Sequence, residues 1–171
     1  MLQTYSANNQ KKMLKVICIV CSLIVPTLVL GPFVPDLIIS LLAVWFLYFT
    51  INKKLVFVYQ NTYFYFFLGF WIICILASFL SQDVLFSLKS SLPYFRIGIF
   101  ALLISFLIDN EKKIIDFFYI AFLITFSLLV VDSYIQFFSG SNLIGLKAGG
   151  KRISSFFGNE YILGSFLVRL L

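Results

Sequence analysis

Five long apolar runs constrain this chain more than any other feature of its sequence. They cover residues 14–30, 37–51, 63–80, 94–108 and 114–138, and a sixth run covers residues 160–171. A membrane-spanning helix needs about 20 mainly apolar residues, and about 17 to 25 are tolerated. The runs lack the alternation of barrel strands, and lipid admits only helices or closed barrels. The sequence therefore predicts an all-α, polytopic transmembrane helix bundle with five complete spans plus the start of a sixth.

Composition supports the membrane interpretation. Hydrophobic residues make up 61% of the chain and charged residues only 12%, whereas soluble domains carry roughly 25% charged residues. The net charge of +6 would suggest nucleic acid in a soluble protein, but here the cations fall in short loops between apolar runs. We therefore expect the lipid bilayer as a partner and no nucleic acid. Cys18 and Cys21 form a C-x-x-C inside an apolar run, which is more typical of buried small side chains than of redox chemistry.

Several local signals define the runs. Runs 37–51 and 94–108 are short, so they must borrow flanking residues to cross a bilayer. Pro26 is expected to kink the first span, and Asp36 is a candidate N-cap for the second. We find no linker, so residues 1–171 are predicted to form a single transmembrane domain. The sixth run is too short for a complete span, and we expect an N-terminal part of a longer protein.

Loop cations predict the orientation of the chain. With the N-terminus in the cytoplasm, the cytoplasmic side holds seven cations and the opposite side five. The cytoplasmic set is Lys11, Lys12, Lys15, Lys53, Lys54, Lys112 and Lys113. The outer set is Lys89, Arg96, Lys147, Lys151 and Arg152. Because cytoplasmic loops are enriched in Lys and Arg, a cytoplasmic N-terminus is favoured, and the five outer cations direct attention to two outer segments.

The first outer segment, residues 81–96, predicts a short helix in the membrane interface. Apolar residues fall at helical spacing on one face and polar residues share the other. Pro93 is expected to end this helix and to lead into the fourth span. Arg96 then enters the membrane in the first turn of that span, where it either snorkels to the surface or meets an anion.

The second outer segment, residues 139–158, is longer and more polar. A partial match to the G-x-x-x-x-G-K phosphate loop ends at Lys151, but Arg152 replaces the required Ser or Thr and no strand precedes the match, so a nucleotide loop is excluded. Flexible glycines, the cations Lys147, Lys151 and Arg152, and the start of the sixth helix together predict a phosphate cradle. The alternative is a solvated basic loop that touches anionic headgroups.

Ionisable residues in or near the spans are further candidates, because charge is costly there and often functional. Asp132 lies near the outer end of the fifth span, where it could orient a loop cation or lie at a water-exposed helix end. Arg169 falls within the sixth span and needs a partner or a water-filled cavity. Asp116 lies near the start of the fifth span.

The stretch RISSFFGNEYILGSFLVRLL, residues 152–171, resembles the O-antigen ligase and polymerase superfamily of polytopic membrane glycosyltransferases. In that family an Arg, a Gly-containing turn, a Phe-Gly step and polar residues lead from an external loop into a hydrophobic helix. The matching positions are Arg152, Ser154, Phe157, Gly158, Asn159 and Gly164. The chain departs from the family pattern at Ser155, where Gly is common, and at Glu160 and Tyr161, which replace a frequent Pro-Asn pair.

The resemblance implies a reaction. Such enzymes move a glycan from undecaprenyl pyrophosphate to lipid A core or to a growing polysaccharide, at the periplasmic face of the bacterial inner membrane. Arginine pairs bidentately with phosphate and stabilises a pyrophosphate leaving group without a metal or other cofactor. The implied catalytic residues are Arg152 and Glu160. The implied pyrophosphate-binding residues are Arg152, Arg96, Lys151, Lys147, Gly158 and Asn159.

The family's candidate base is a His in a later external loop, and this chain has no His, so we expect residues 1–171 alone to be inactive.

Two other function classes stay open. A transporter or flippase for a lipid-linked or anionic substrate would instead use Arg169 and Asp132 in a substrate pathway. In a non-catalytic membrane subunit, every loop cation would be replaceable with little effect.

Overall fold

The chain is mostly helical in the part that the structure describes. The computed structural model describes residues 2–147, 153–158 and 162–170, with side chains described for residues 12–147, 153–158 and 162–168. This part contains eight α-helices: α1 (Leu2–Ser22), α2 (Ile24–Thr27), α3 (Phe33–Lys53), α4 (Thr62–Phe79), α5 (Val84–Ser91), α6 (Phe95–Asn110), α7 (Lys113–Ser139) and α8 (Leu163–Leu170). Its β-pairing is limited to one isolated bridge between Ser141 and Lys147. The predicted all-α fold class is confirmed.

Five helical segments among the described residues are long and apolar enough to cross a membrane. They are Lys12–Leu30, Phe33–Lys53, Thr62–Phe79, Val84–Asn110 and Lys113–Ser139. The predicted number of complete spans is therefore confirmed by length and composition. Both short runs gain length from their flanks, because α3 extends the second run at both ends and α5 leads through a 3₁₀ turn into α6.

A proline accounts for the break within the first span, and a glycine lies at the turn between the first and second spans. Helix α1 ends at Ser22, and α2 and a 3₁₀ turn continue the chain to Leu30. The break lies four residues before Pro26, whose missing N–H cannot bond the carbonyl of Ser22. Gly31 then takes a φ of +110°, which favours glycine. The observed start of α3 at Phe33 differs from the expected cap at Asp36, because the Asp36 N–H already bonds the Pro32 carbonyl at 3.3 Å.

The backbone divides into two compact units. The first comprises residues 1–36 and 113–171, and the second comprises residues 37–112. In the first unit, α1 and α2 pack against α7, and the 3₁₀ turn Ser155–Phe157 contacts both α7 and the turn Leu28–Leu30. The prediction of a single transmembrane domain stays a prediction.

The second unit is held together by close packing of aromatic rings and by side-chain hydrogen bonds. A Cβ built on Gly98 of α6 would lie 2.2 Å from Cε1 of Phe67 on α4, so the two helices approach closely at this glycine. Trp71 Nε1 donates to the Ser91 carbonyl at 3.0 Å, at the end of α5. As predicted, α5 ends just before Pro93. The structure adds that Asp83 caps its first turn, because its side chain accepts from the Phe86 N–H at 3.1 Å.

Candidate functional site

Helix α7 carries two fully buried polar side chains near its C-terminal end. Asp132 and Gln136 are both 0% exposed. They are four residues apart, so they share one face of the helix. Because burying an amide or a carboxylate without hydrogen bonds costs several kcal/mol, this part of α7 must face groups that donate and accept hydrogen bonds. The segment between α7 and α8, residues 140–162, supplies them and is called the α7–α8 loop.

Asp132 binds the loop at two places. Its Oδ1 accepts a hydrogen bond from the Leu143 N–H at 2.9 Å, and its Oδ2 accepts one from the Ser155 hydroxyl at 2.5 Å. The two loop residues are 12 positions apart in sequence. One carboxylate therefore joins the beginning of the loop to a segment close to its end.

Gln136 strengthens the same attachment. Its Oε1 accepts from the Ser154 N–H at 3.0 Å and from the Ser155 N–H at 2.8 Å, and its Nε2 donates to the Leu146 carbonyl at 3.3 Å. The side-chain amide oxygen thus bonds two backbone N–H groups that no helix or strand satisfies, whereas the Leu146 carbonyl also accepts from the Asn142 N–H at 2.9 Å. Buried backbone N–H and C=O groups need hydrogen-bond partners, and in a loop the side chains must supply them.

Asn142 shapes the first part of the loop. Its Oδ1 accepts from the Ile144 N–H at 3.2 Å and the Leu146 N–H at 2.7 Å, which is a local turn of the kind that Asn favours. Its Nδ2 donates to the Ser155 carbonyl at 2.8 Å. Gly145 within the turn has a φ of +82°. Asn142 therefore connects its own turn to the same distant serine that Asp132 binds.

Ser155 is fixed at its N–H, its hydroxyl and its carbonyl, by Gln136, Asp132 and Asn142 respectively. Its φ is +50°, a conformation that costs a non-glycine residue of the order of 1 kcal/mol or more. The neighbouring Ser154 is 1% exposed, and its hydroxyl has no partner among the described residues. We call Asp132, Gln136, Asn142, Ser154 and Ser155 the loop anchor.

The structure describes one of the three cations that were predicted to bind pyrophosphate in the α7–α8 loop. Lys147 is exposed and pairs through its backbone with Ser141. Lys151 and Arg152, which were predicted to bind pyrophosphate, lie outside the described residues. Asp132 is fully buried and contacts N–H and O–H donors of the described residues, so the alternative of a water-exposed helix end is wrong, whereas orientation of a loop cation by Asp132 stays a prediction.

Three other predicted residues lie near the start of α8. Gly158 has a φ of +61° and ends the 3₁₀ turn Ser155–Phe157, five residues before α8 begins at Leu163. Asn159 and Glu160 lie outside the described residues. The 3₁₀ turn thus ends at a glycine with a positive φ, and α8 begins a little later than the predicted start of the sixth span.

Arg96 lies in the second unit, in the first turn of α6. Its side chain is half-buried, and Nη1 donates to the Ser40 hydroxyl of α3 at 3.1 Å. The sequence offered a snorkelling arginine or an anion ligand. The structure adds a third role for Arg96, a polar contact between two spanning helices of one unit.

Sequence reasoning overlooked Gln136, Asn142 and the anchoring role of Ser155. The available signal was the spacing of Asp132 and Gln136, two polar residues four apart in an apolar helix. No group of three or more potential metal-ligating His, Cys, Asp or Glu side chains converges in the described part of the chain. Comparisons of the whole chain with protein-family models, with curated proteins and with solved structures find no match.

Proposed function

We propose that this protein is an O-antigen ligase-like membrane glycosyltransferase. It moves a glycan from undecaprenyl pyrophosphate to lipid A core or to a growing polysaccharide at the periplasmic face of the bacterial inner membrane. The observation that carries the proposal is the loop anchor. A polar loop that follows the fifth span is fixed to α7 by the buried side chains of Asp132 and Gln136.

The anchor binds the residues on either side of the cationic part of the loop. Leu146 is bound at one end and Ser154 at the other, and only the seven residues 147–153 connect them. This short stretch contains Lys147, Lys151 and Arg152. Fixing both ends of a short segment reduces the entropy that its side chains lose when they bind an anion. Attachment at both ends therefore favours the phosphate-binding interpretation of this stretch over that of a freely solvated basic loop.

The backbone at Ser155 also fits the resemblance. The family commonly has Gly at this position, and Ser155 adopts a positive φ that Gly takes at little cost. The hydrogen bonds of the loop anchor compensate for the strain of a serine here. The position thus keeps the backbone shape that the family pattern suggests, although it lacks the glycine.

The proposed chemistry assigns the charged residues separate roles. Arg152 pairs with the pyrophosphate oxygens and stabilises the negative charge of the leaving group, because a guanidinium stays charged and binds phosphate bidentately. Lys151 and Lys147 capture the lipid headgroup. Glu160 orients an arginine or serves the acceptor hydroxyl. Arg96 is a further candidate for pyrophosphate binding.

The test is a binding measurement on the protein in lipid nanodiscs with radiolabelled undecaprenyl pyrophosphate. Arg152→Ala is expected to weaken binding about 10- to 100-fold, as loss of charge-assisted hydrogen bonds of about 1.5–3 kcal/mol implies. The matched control is Lys112→Ala, which removes one cation from the predicted cytoplasmic side. Equal effects of the two substitutions would indicate general charge attraction and would contradict the proposal.

The same experiment separates the transporter alternative. Arg169→Gln should leave binding of the pyrophosphate lipid nearly unchanged if the protein is a glycosyltransferase of the proposed kind. If Arg169→Gln abolishes binding while Arg152→Ala is mild, a substrate pathway through the membrane becomes the better account.

A further inference from the structure

The first unit contains an apolar cavity between its first span and α7. Its volume is about 710 Å³, within the roughly 300–1,000 Å³ of typical ligand sites. The end of α1, α2 and the turn that follows it form one wall, α7 forms the other, and Ile144 and Phe156 of the α7–α8 loop also line the cavity. The cavity therefore lies beside the loop anchor.

The lining of the cavity offers few free hydrogen-bonding groups to water or to a polar ligand. Its three hydroxyl side chains are those of Ser22, Thr27 and Thr125, and each donates its proton to a carbonyl of its own helical segment. Ser22 bonds Ile19 at 2.8 Å, Thr125 bonds Ala121 at 2.7 Å, and Thr27 bonds carbonyls three and four residues earlier. A buried water needs two to four polar partners. The cavity is consequently suited to hydrocarbon.

The cavity is continuous with the lateral surface of the spanning helices. Leu30 at one edge is 74% exposed, and Ile124 and Leu128 on α7 are 55% and 53% exposed. Apolar side chains exposed on a spanning helix face lipid. The same residues thus belong both to the lipid-facing surface and to the cavity wall, and a chain from the surrounding bilayer can enter from the side.

The length of the cavity matches one lipid chain. Its wall on α7 runs from Phe117 to Leu129, which corresponds to about 18 Å at roughly 1.5 Å per residue. One leaflet contributes about half of a hydrocarbon core that is about 30 Å thick. We propose that this cavity binds one acyl chain of a bilayer phospholipid. This inference is independent of the proposed glycosyltransferase activity.

Photolabelling tests the proposal. The protein is reconstituted in phosphatidylcholine vesicles that contain a small fraction of phosphatidylcholine with a diazirine on one acyl chain, irradiated, and mapped by peptide mass spectrometry. We expect several-fold more label on residues 22–30 and 117–129 than on the exposed face of α4. Equal labelling of the two regions would show ordinary contact with surrounding lipid and would overturn the proposal.

Two variants sharpen the test. Ala121→Phe fills the cavity from α7 and should lower its labelling several-fold, whereas Ala77→Phe, on the exposed surface of α4, should not. Thr125→Val should leave the labelling unchanged, because the lost hydroxyl bonds only its own helix. If Ala121→Phe does not fold, the contrast between regions in the wild-type protein still decides the question.

Other occupants give different results, and each would overturn the proposal. A second copy of the chain that covered the cavity would leave it unlabelled in a dimeric protein. A polyprenyl lipid as occupant would displace the label when added at a few per cent, while the same amount of unlabelled phosphatidylcholine would not. If the occupant is a phospholipid acyl chain, the polyprenyl lipid displaces no more label than the same amount of unlabelled phosphatidylcholine does.

Discussion

The buried polar side chains that differ most between the two compact units are the hydroxyls of the second unit and the loop anchor of the first. In the second unit Ser78 and Ser91 each bond a carbonyl one turn earlier in their own helix, and they also bond each other between α4 and α5. Ser78 bonds Cys74 at 2.8 Å, and Ser91 bonds Ser87 at 2.7 Å. In the first unit Asp132 and Gln136 bond backbone and hydroxyl groups that lie 10 to 23 residues away in the sequence.

The difference has an energetic consequence. Removing a hydroxyl that bonds its own helix leaves a carbonyl that already accepts a hydrogen bond from the helix backbone, so the free energy of unfolding changes little. Removing a side chain that bonds otherwise unpaired loop groups leaves those groups buried without partners, at about 1–3 kcal/mol each. The comparison predicts that polar substitutions in the first unit cost more than those in the second.

Gln136→Leu should have the largest effect. It leaves the N–H groups of Ser154 and Ser155 without their partner and removes one of two donors to the Leu146 carbonyl, which also accepts from the Asn142 N–H at 2.9 Å. We therefore expect a loss of about 3 kcal/mol in the free energy of unfolding. Thermal unfolding in detergent measures the loss, and limited proteolysis should cut the α7–α8 loop faster. Gln60→Leu, at an exposed position, is the control. A wild-type melting temperature for Gln136→Leu would contradict the role of the loop anchor.

Ser155→Ala and Ser154→Ala compare two buried hydroxyls side by side. Ser155→Ala removes a hydrogen bond to the Asp132 carboxylate and should cost about 1.5–3 kcal/mol. Ser154→Ala removes a hydroxyl that has no partner among the described residues, so it should be neutral or slightly stabilising. Ser155→Gly should fall between them, because it loses the same bond but relieves the positive φ. Thermal unfolding of the three variants checks the order, and equal costs for the two alanine variants would refute it.

Gly98→Ala tests close packing in the second unit. The new methyl group would meet the Phe67 ring at 2.2 Å, and overpacking of this kind costs about 1–3 kcal/mol. Gly69→Ala on α4 is the matched control, because a Cβ there meets nothing within 4 Å, and it should raise stability slightly. Adding Phe67→Ala to Gly98→Ala should recover part of the loss if the clash is its cause.

Trp71→Phe should destabilise the protein less than Gln136→Leu, Ser155→Ala or Gly98→Ala. It keeps an aromatic ring near Phe95, at a centroid distance of 5.0 Å in the wild-type protein, but it removes the N–H that bonds the Ser91 carbonyl. We expect a loss of about 1 kcal/mol in chemical or thermal unfolding. Trp45→Phe, which retains the stack on Phe49, serves as the reference. A larger loss for Trp71→Phe than for Gln136→Leu would reverse the comparison between the units.

The sequence predicted those parts of the fold that depend on neighbouring residues. The five spans follow from run length and hydrophobicity, the break in the first span follows from Pro26, and the end of α5 follows from Pro93. Each of these signals acts within about one helical turn or along a single helix. Such local effects can be read from the order of the residues.

The loop anchor could be predicted only in part. The spacing of Asp132 and Gln136 places both on one face of α7, but it does not specify which loop groups they bind. Their partners include Leu143 and Ser155, whose positions depend on how the chain returns to the helix. Arg96 is similar, because its contact with Ser40 spans 56 residues.

By itself, the sequence determined that this chain forms membrane-spanning helices and where most of them begin and end, because hydrophobicity and backbone preferences are properties of short segments. Only the tertiary structure decided that Asp132 and Gln136 hold a loop, that Ser155 adopts a positive φ, and that an apolar cavity opens between the first span and α7. These features arise from contacts between distant segments. Their free energies depend on geometry that no local pattern encodes.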